Sequence, residues 1–179
     1  MRAFDSVLQI AVVILGVVVV AIVVIASIVP TRATTAQLSD AQGNFVGTAL
    51  FTQSPDGVRI YLVSQGLDPG EHGIHFHERG ECIPPDFMSA GAHFNPTSRS
   101  HGLANPQGPH GGDLPNLAVS GTGTGVYETV TNRVTLSDGP ASLLHPGGTA
   151  LVIHARPDDQ MTDPAGNSGD RVACGVISR

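Results

Sequence analysis

The chain has 179 residues, room for about one domain of ordinary size and too few for a multidomain machine. Its formal net charge is −6 and every positive charge is an Arg, because the sequence holds no Lys; with no basic stripe, this balance argues against a general nucleic-acid binder. The 41% apolar average divides unevenly: 23 of the first 30 residues are apolar, against 50 of those that follow.

From Ser6 to Val29 there is no charge, and only Ser6, Gln9 and Ser27 interrupt a run of Val, Ile, Leu, Ala and one Gly. As a helix, residues 7–29 would span about 35 Å, slightly more than the roughly 30 Å hydrocarbon core of a bilayer. The run is longer than the apolar core of a signal peptide, about 7 to 15 residues, so an uncleaved N-terminal transmembrane helix is expected over 1–30. The alternative is a signal segment, with a cut after Ala36. Arg2 on one side and Arg32 on the other leave the orientation open.

Residues 31–44 are small and polar and read as a tether with the start of the first strand; the folded body is expected over 45–179. Short apolar runs there alternate with turn residues. Strands are predicted at 45–53, 58–63, 73–77, 117–119, 125–131, 133–136, 149–155 and 171–177, the first two joined by Pro55-Asp56-Gly57 as a hairpin. Many short strands with Gly and Pro turns predict an antiparallel sandwich or barrel. The stretches 78–115 and 156–170 break this rhythm as loops of unusual length, which in compact domains are usually functional.

Seven of the eight His lie between His72 and His110 or at His154. His75 and His77 are two apart on a predicted strand, so both rings point to one face and Phe76 to the other. His93, His101, His110 and Asp113 fall in one Gly/Pro-rich loop and offer three neutral nitrogens and one anionic oxygen, a full tetrahedral shell for zinc. His154, in a β-branched strand, is either a core residue or the completion of a second site with His75 and His77.

Five separated runs carry a resemblance: Gly73-Ile-His-Phe-His-Glu-Arg-Gly-Glu-Cys82, Ala92-His-Phe-Asn-Pro96, His110-Gly-Gly-Asp-Leu-Pro-Asn116, Val152-Ile-His-Ala-Arg-Pro-Asp-Asp159 and Gly166-Asn-Ser-Gly-Asp-Arg-Val-Ala-Cys-Gly-Val176. Together, over nearly all of residues 36–178, the chain resembles copper,zinc superoxide dismutase of a bacterial, membrane-anchored type. The resemblance implies an all-β, eight-stranded Greek-key β-barrel with two long functional loops. It implies copper held by His75, His77, His93 and His154, and zinc held by His93, His101, His110 and Asp113, with His93 bridging the two metals. Four imidazoles suit Cu(II), and a mixed nitrogen and carboxylate tetrahedron suits Zn(II).

By the same resemblance, Asp158 receives the free N–H of one copper ligand and one zinc ligand, and Cys82 pairs with Cys174 in a disulfide. Arg171 attracts and orients the superoxide anion, which is dismutated to dioxygen and hydrogen peroxide, and His93 relays a proton. Since a disulfide needs an oxidising compartment, the amino terminus is expected inside and the body outside the cytoplasm, with lipid contacts through residues 7–29. The loop ending at Arg171 sets Arg156 and Arg171 against Asp158, Asp159, Asp163 and Asp170, so weaker long-range steering is expected than in Lys-rich relatives. Protection against extracytoplasmic superoxide follows, with a monomer and a homodimer both open. His72 and His145 fit no ligand position and are expected on the surface.

Overall fold

In the computed structural model, residues 32–178 are described. They form nine strands: β1 Ala33–Ser39, β2 Phe45–Ser54, β3 Gly57–Ser64, β4 Gly70–His72, β5 Ile74–His77, β6 Leu117–Val119, β7 Gly125–Thr131, β8 Thr149–His154 and β9 Arg171–Ile177. Seven make one antiparallel sheet in the order β5-β8-β9-β1-β2-β3-β7, and β4 pairs β6 beside it. Only Gly73 separates β4 from β5, so these two are halves of one interrupted strand. The expected all-β fold is present as a curled sheet. The predicted transmembrane helix lies outside the described residues, and among the described residues no helix is long and apolar enough to cross a membrane.

Period-two alternation builds the core. Val58, Ile60 and Leu62 of β3 turn inward with Ala49 and Phe51 of β2, while Arg59, Tyr61 and Val63 face solvent. Leu38, Ile74, Phe76, Leu117, Leu151, Ile153 and Ile177 complete the main cluster, with the Phe51 and Phe76 rings 5.8 Å apart. Burying such side chains is the main favourable term of folding, roughly 1.5–3 kcal/mol each.

Three expectations need correction. The stretch read as tether contains β1, whose Ala36 and Leu38 are buried and whose Ala36 pairs Ala49; a cut after Ala36 would divide this strand. The predicted strand 133–136 has no ladder of its own: Gln53 Oε1 accepts from the Thr135 hydroxyl and the Leu136 amide, and Arg32 donates to the Leu136 carbonyl. Thr135 keeps a single main-chain bridge, to Ser142, and these side-chain bonds hold the stretch beside it. The predicted strand 73–77 begins at Ile74, where Gly73 divides β4 from β5.

Both long loops are present. The loop 78–115 holds one 3-10 turn, Met88–Ala90, and folds back against β5: Phe94 N–H donates to the Phe76 carbonyl and Phe76 N–H to the Gly112 carbonyl. A Cβ at Gly112 would collide with the Phe76 carbonyl, so only Gly lets the loop lie this close.

Candidate metal centre

The strand period sends Ile74 and Phe76 of β5 into the core and His75 and His77 to the opposite face. The register His75↔Val152 and His77↔Ala150 puts His154, two positions beyond Val152, on that same face. His93 arrives from the loop through a bridge to His77, and Asp113 through a bridge to His75. Ligand atoms of His75, His77, His93 and His154 lie within 4.8 Å of one another, and so do those of His93, His101, His110 and Asp113. His93 belongs to both groups.

In the first group every ring has one nitrogen tied back to the protein and one buried nitrogen without a partner. His75 Nε2 is 2.7 Å from Asp158, His77 Nδ1 donates to the Gly91 carbonyl at 2.9 Å, and His154 Nδ1 donates to the Gly169 carbonyl at 3.0 Å. The unpartnered atoms are His75 Nδ1, His77 Nε2, His93 Nε2 and His154 Nε2. Burial, followed by the neighbouring His93, pushes His75 down to about 3. Burial likewise takes His154 to about 4 and lowers His77 and His93. Four neutral imidazoles with converging lone pairs form a ready donor set for a cation such as Cu(II).

The second group converges on one oxygen. Asp113 Oδ1 is 3.0 Å from both His93 Nδ1 and His101 Nδ1 and 3.2 Å from His110 Nδ1. Its Oδ2 accepts the Gly102 and His110 amides. Burial alone would raise Asp113, but hydrogen bonds from His101, His110 and His93 hold it well below the usual carboxylate range. Three nitrogens around one carboxylate oxygen match the mixed donor set that zinc prefers.

Asp158 links the two groups, its Oδ2 on His75 Nε2 and its Oδ1 3.0 Å from His101 Nε2. Burial opposes charge on His101, but its bonds to Asp113 and Asp158 prevail and raise it to about 9. Asn116 clamps Asp158 in turn, donating to its carbonyl and accepting its amide, each at 2.9 Å. Asn116 stood inside a motif, but its partner is 42 residues away and no spacing rule pointed to it.

Arg171 lies beside this cluster. Its guanidinium donates to the Phe87 and Gly91 carbonyls, each at 2.7 Å, so Gly91 ties Arg171 to His77. The Cys82–Cys174 disulfide is formed and packs with Phe87, Ala90, Ala150 and Val152, fixing the segment that holds the guanidinium. A cleft lined by Pro85, Asp86, Met88, Gly169 and Asp170 opens at Arg171.

His72 is not on the surface. It is 3% exposed, its ring between two main-chain carbonyls, Nδ1 2.6 Å from His154 O and Nε2 2.8 Å from Asp68 O, so it braces His154 from behind. His145 is half-buried and stacked on Phe94, with ring centroids 5.5 Å apart. Strand Gly70–His72 is too short to read from alternation, which is why the bracing role of His72 escaped the sequence.

Comparison with known proteins agrees with this geometry. The family model "Copper/zinc superoxide dismutase (SODC)" matches residues 45–177. The chain is 49% identical over 144 residues to copper-zinc superoxide dismutase 2 of Aquifex aeolicus, covering 79% of this chain and 84% of that one. It is 43% identical over 148 residues to the copper-zinc superoxide dismutase of Caulobacter vibrioides, covering 81% and 85%. Among solved structures, a double mutant of a superoxide-dismutase-like protein from Bacillus subtilis superposes with TM-score 0.79 at 40% identity, covering 81% of this chain and 97% of that one. The copper/zinc superoxide dismutase of Brucella abortus superposes with TM-score 0.69 at 29% identity, covering 82% and 99%. The chain belongs to the copper/zinc superoxide dismutase family. It is an enzyme that converts superoxide to dioxygen and hydrogen peroxide, with copper and zinc as its cofactors.

Proposed function

We propose that His75, His77, His93 and His154 hold the copper, that His93, His101, His110 and Asp113 hold the zinc, and that the folded body works outside the cytoplasm on an N-terminal membrane anchor. The observation that carries the metal assignment is that four buried ring nitrogens without partners converge in the first group, while the other such nitrogen, His145 Nε2, belongs to neither group. When bound, copper supplies a one-electron redox centre that cycles between Cu(II) and Cu(I), and zinc supplies fixed positive charge without redox chemistry.

The side chains do the rest. Arg171, held by two carbonyls at the cleft, binds the superoxide anion and orients it toward the four imidazoles. Asp158 keeps the Nε2 proton on His75, which leaves Nδ1 as the ligating atom. Gly91 and Gly169 do the same for Nδ1 of His77 and His154, leaving Nε2 free to ligate. Two superoxide anions and two protons become one dioxygen and one hydrogen peroxide. His93 takes up one of these protons at Nε2 and delivers it toward the peroxide, while water supplies the other. With all positive charge on Arg and net charge −6, long-range attraction is weak and capture rests on Arg171.

Localisation follows from chemistry. The Cys82–Cys174 disulfide persists in an oxidising compartment. The uncharged run 7–29 is long enough to span a bilayer, and the first strand begins soon after it, at Ala33.

Elemental analysis of single variants tests the assignment. His77→Ala and His154→Ala are expected to lose copper and keep zinc, and His110→Ala to lose zinc first; equal loss of both metals from every variant would contradict it. Protease added on the outer side of the cytoplasmic membrane should reach the body, and a body accessible to protease only from the cytosolic face would refute the orientation.

A further inference from the structure

Arg133 lies in the stretch that failed to form its predicted strand, and it has no part in the reading above. Its Nη2 donates to the main-chain carbonyl of Asp113 at 2.5 Å, across 20 residues of sequence. Asp113 is otherwise held by its bridge to His75 of β5 and from within its own loop, where Oδ1 faces His93, His101 and His110, and Oδ2 takes the Gly102 and His110 amides. The amide of Asp113 reaches the His110 carbonyl only at 3.5 Å. Arg133 thus adds to the His75 bridge a second tie between the Asp113 main chain and the barrel.

The platform under Arg133 is rigid. Its amide donates to the Thr131 hydroxyl at the end of β7, and the residues that follow are pinned by Gln53 and Arg32. The side chain is half-buried, and its Nε is buried without a partner. Guanidinium is more weakly hydrated than ammonium, which suits such a site. Removing it would leave the Asp113 carbonyl without this donor and loosen the turn that aims Oδ1. Ligating groups must be held to within about 0.5 Å of their productive geometry.

We propose that Arg133 is a positioning residue for zinc: by fixing the Asp113 main chain to the barrel, it aims the Asp113 carboxylate into the zinc group. This rests on the reading of Asp113 as a zinc ligand.

The test uses the full chain in detergent, stripped of metal, with zinc affinity measured by chelator competition and ligand geometry by the visible bands of Co(II) bound in place of zinc. Arg133→Ala is expected to bind zinc about 10- to 100-fold more weakly, the usual cost of losing a group that orients a ligand, and to shift the Co(II) bands. Arg133→Lys should recover part of the affinity. The melting temperature of the metal-free chain should stay near wild type while the increment added by zinc shrinks. Wild-type zinc affinity in Arg133→Ala overturns the proposal, and so does an equal fall in metal-free and zinc-loaded melting, which marks a purely structural role. If Arg133→Ala does not fold, Arg133→Lys decides alone, with wild-type affinity and unshifted bands counting against the proposal. Asp113→Ala separates the two readings: wild-type affinity there removes the ligand assignment and the proposal with it, whereas weak binding there beside wild-type Arg133→Ala removes the proposal alone.

Discussion

On β2, β3 and β7 the outward side chains Leu50, Tyr61, Val63, Val126 and Val130 are exposed, whereas every residue of β5 and β8 is buried. Both halves share the inward core. They differ because the loops 78–115 and 156–170 lie over the outer face of the second half, burying His75, His77 and His154 of the strands together with their own His93, His101, Asp113 and Asp158. Burying ionisable groups is costly unless each is paired or ligates a metal. One half of the barrel thus provides stability, and the other carries polar groups whose arrangement makes sense as a metal centre.

Substitutions in the two halves test this contrast. The largest effect is expected at the disulfide that fastens the loop to β9: Cys174→Ser should cost about 2–5 kcal/mol, read as a lower denaturant midpoint. Asp158→Asn cannot serve both His75 and His101 as an acceptor, so it should weaken metal binding about 10- to 100-fold in chelator competition. Next is acid sensitivity. His75 at about 3 and His154 at about 4 lie below the ordinary 6.5, so the unfolded chain binds protons that the folded chain refuses. Melting of the metal-free protein should therefore fall as pH drops from 6.5 toward 4. His101, raised to about 9, acts in the opposite sense: its contribution is complete below 6.5 and fades as pH rises through about 9. The smallest effect belongs to the exposed half, where Tyr61→Ser should change stability by no more than about 0.5 kcal/mol.

The same contrast explains what could be read from the chain. Where one face is wet and the other packed, alternation shows the strand: β6, β7 and β9 have the predicted limits. β1 hides because Ala33-Thr-Thr-Ala-Gln-Leu-Ser39 is small and polar, and its pairing with β2 and β9 is a tertiary fact. His75 and His77 could be placed on one face by period alone. Their convergence with His154 needs the β5–β8 register, and with His93 the folded loop. The supporting contacts of Asn116, His72 and Arg133 were not legible, because each includes a main-chain carbonyl remote in sequence.

The relatives also show why the site must be argued residue by residue. A chain that is 40% identical over 144 residues, from Bacillus subtilis, is named only superoxide-dismutase-like, so likeness of fold does not by itself establish a working centre. The most direct measurement is metal content and superoxide removal on the same purified full-length sample, for the wild type and for His93→Ala. The account predicts one copper and one zinc in each wild-type chain, with superoxide removed, and a His93→Ala chain without that activity. A wild type that binds both metals yet leaves superoxide untouched, or a His93→Ala variant as active as the wild type, would contradict it.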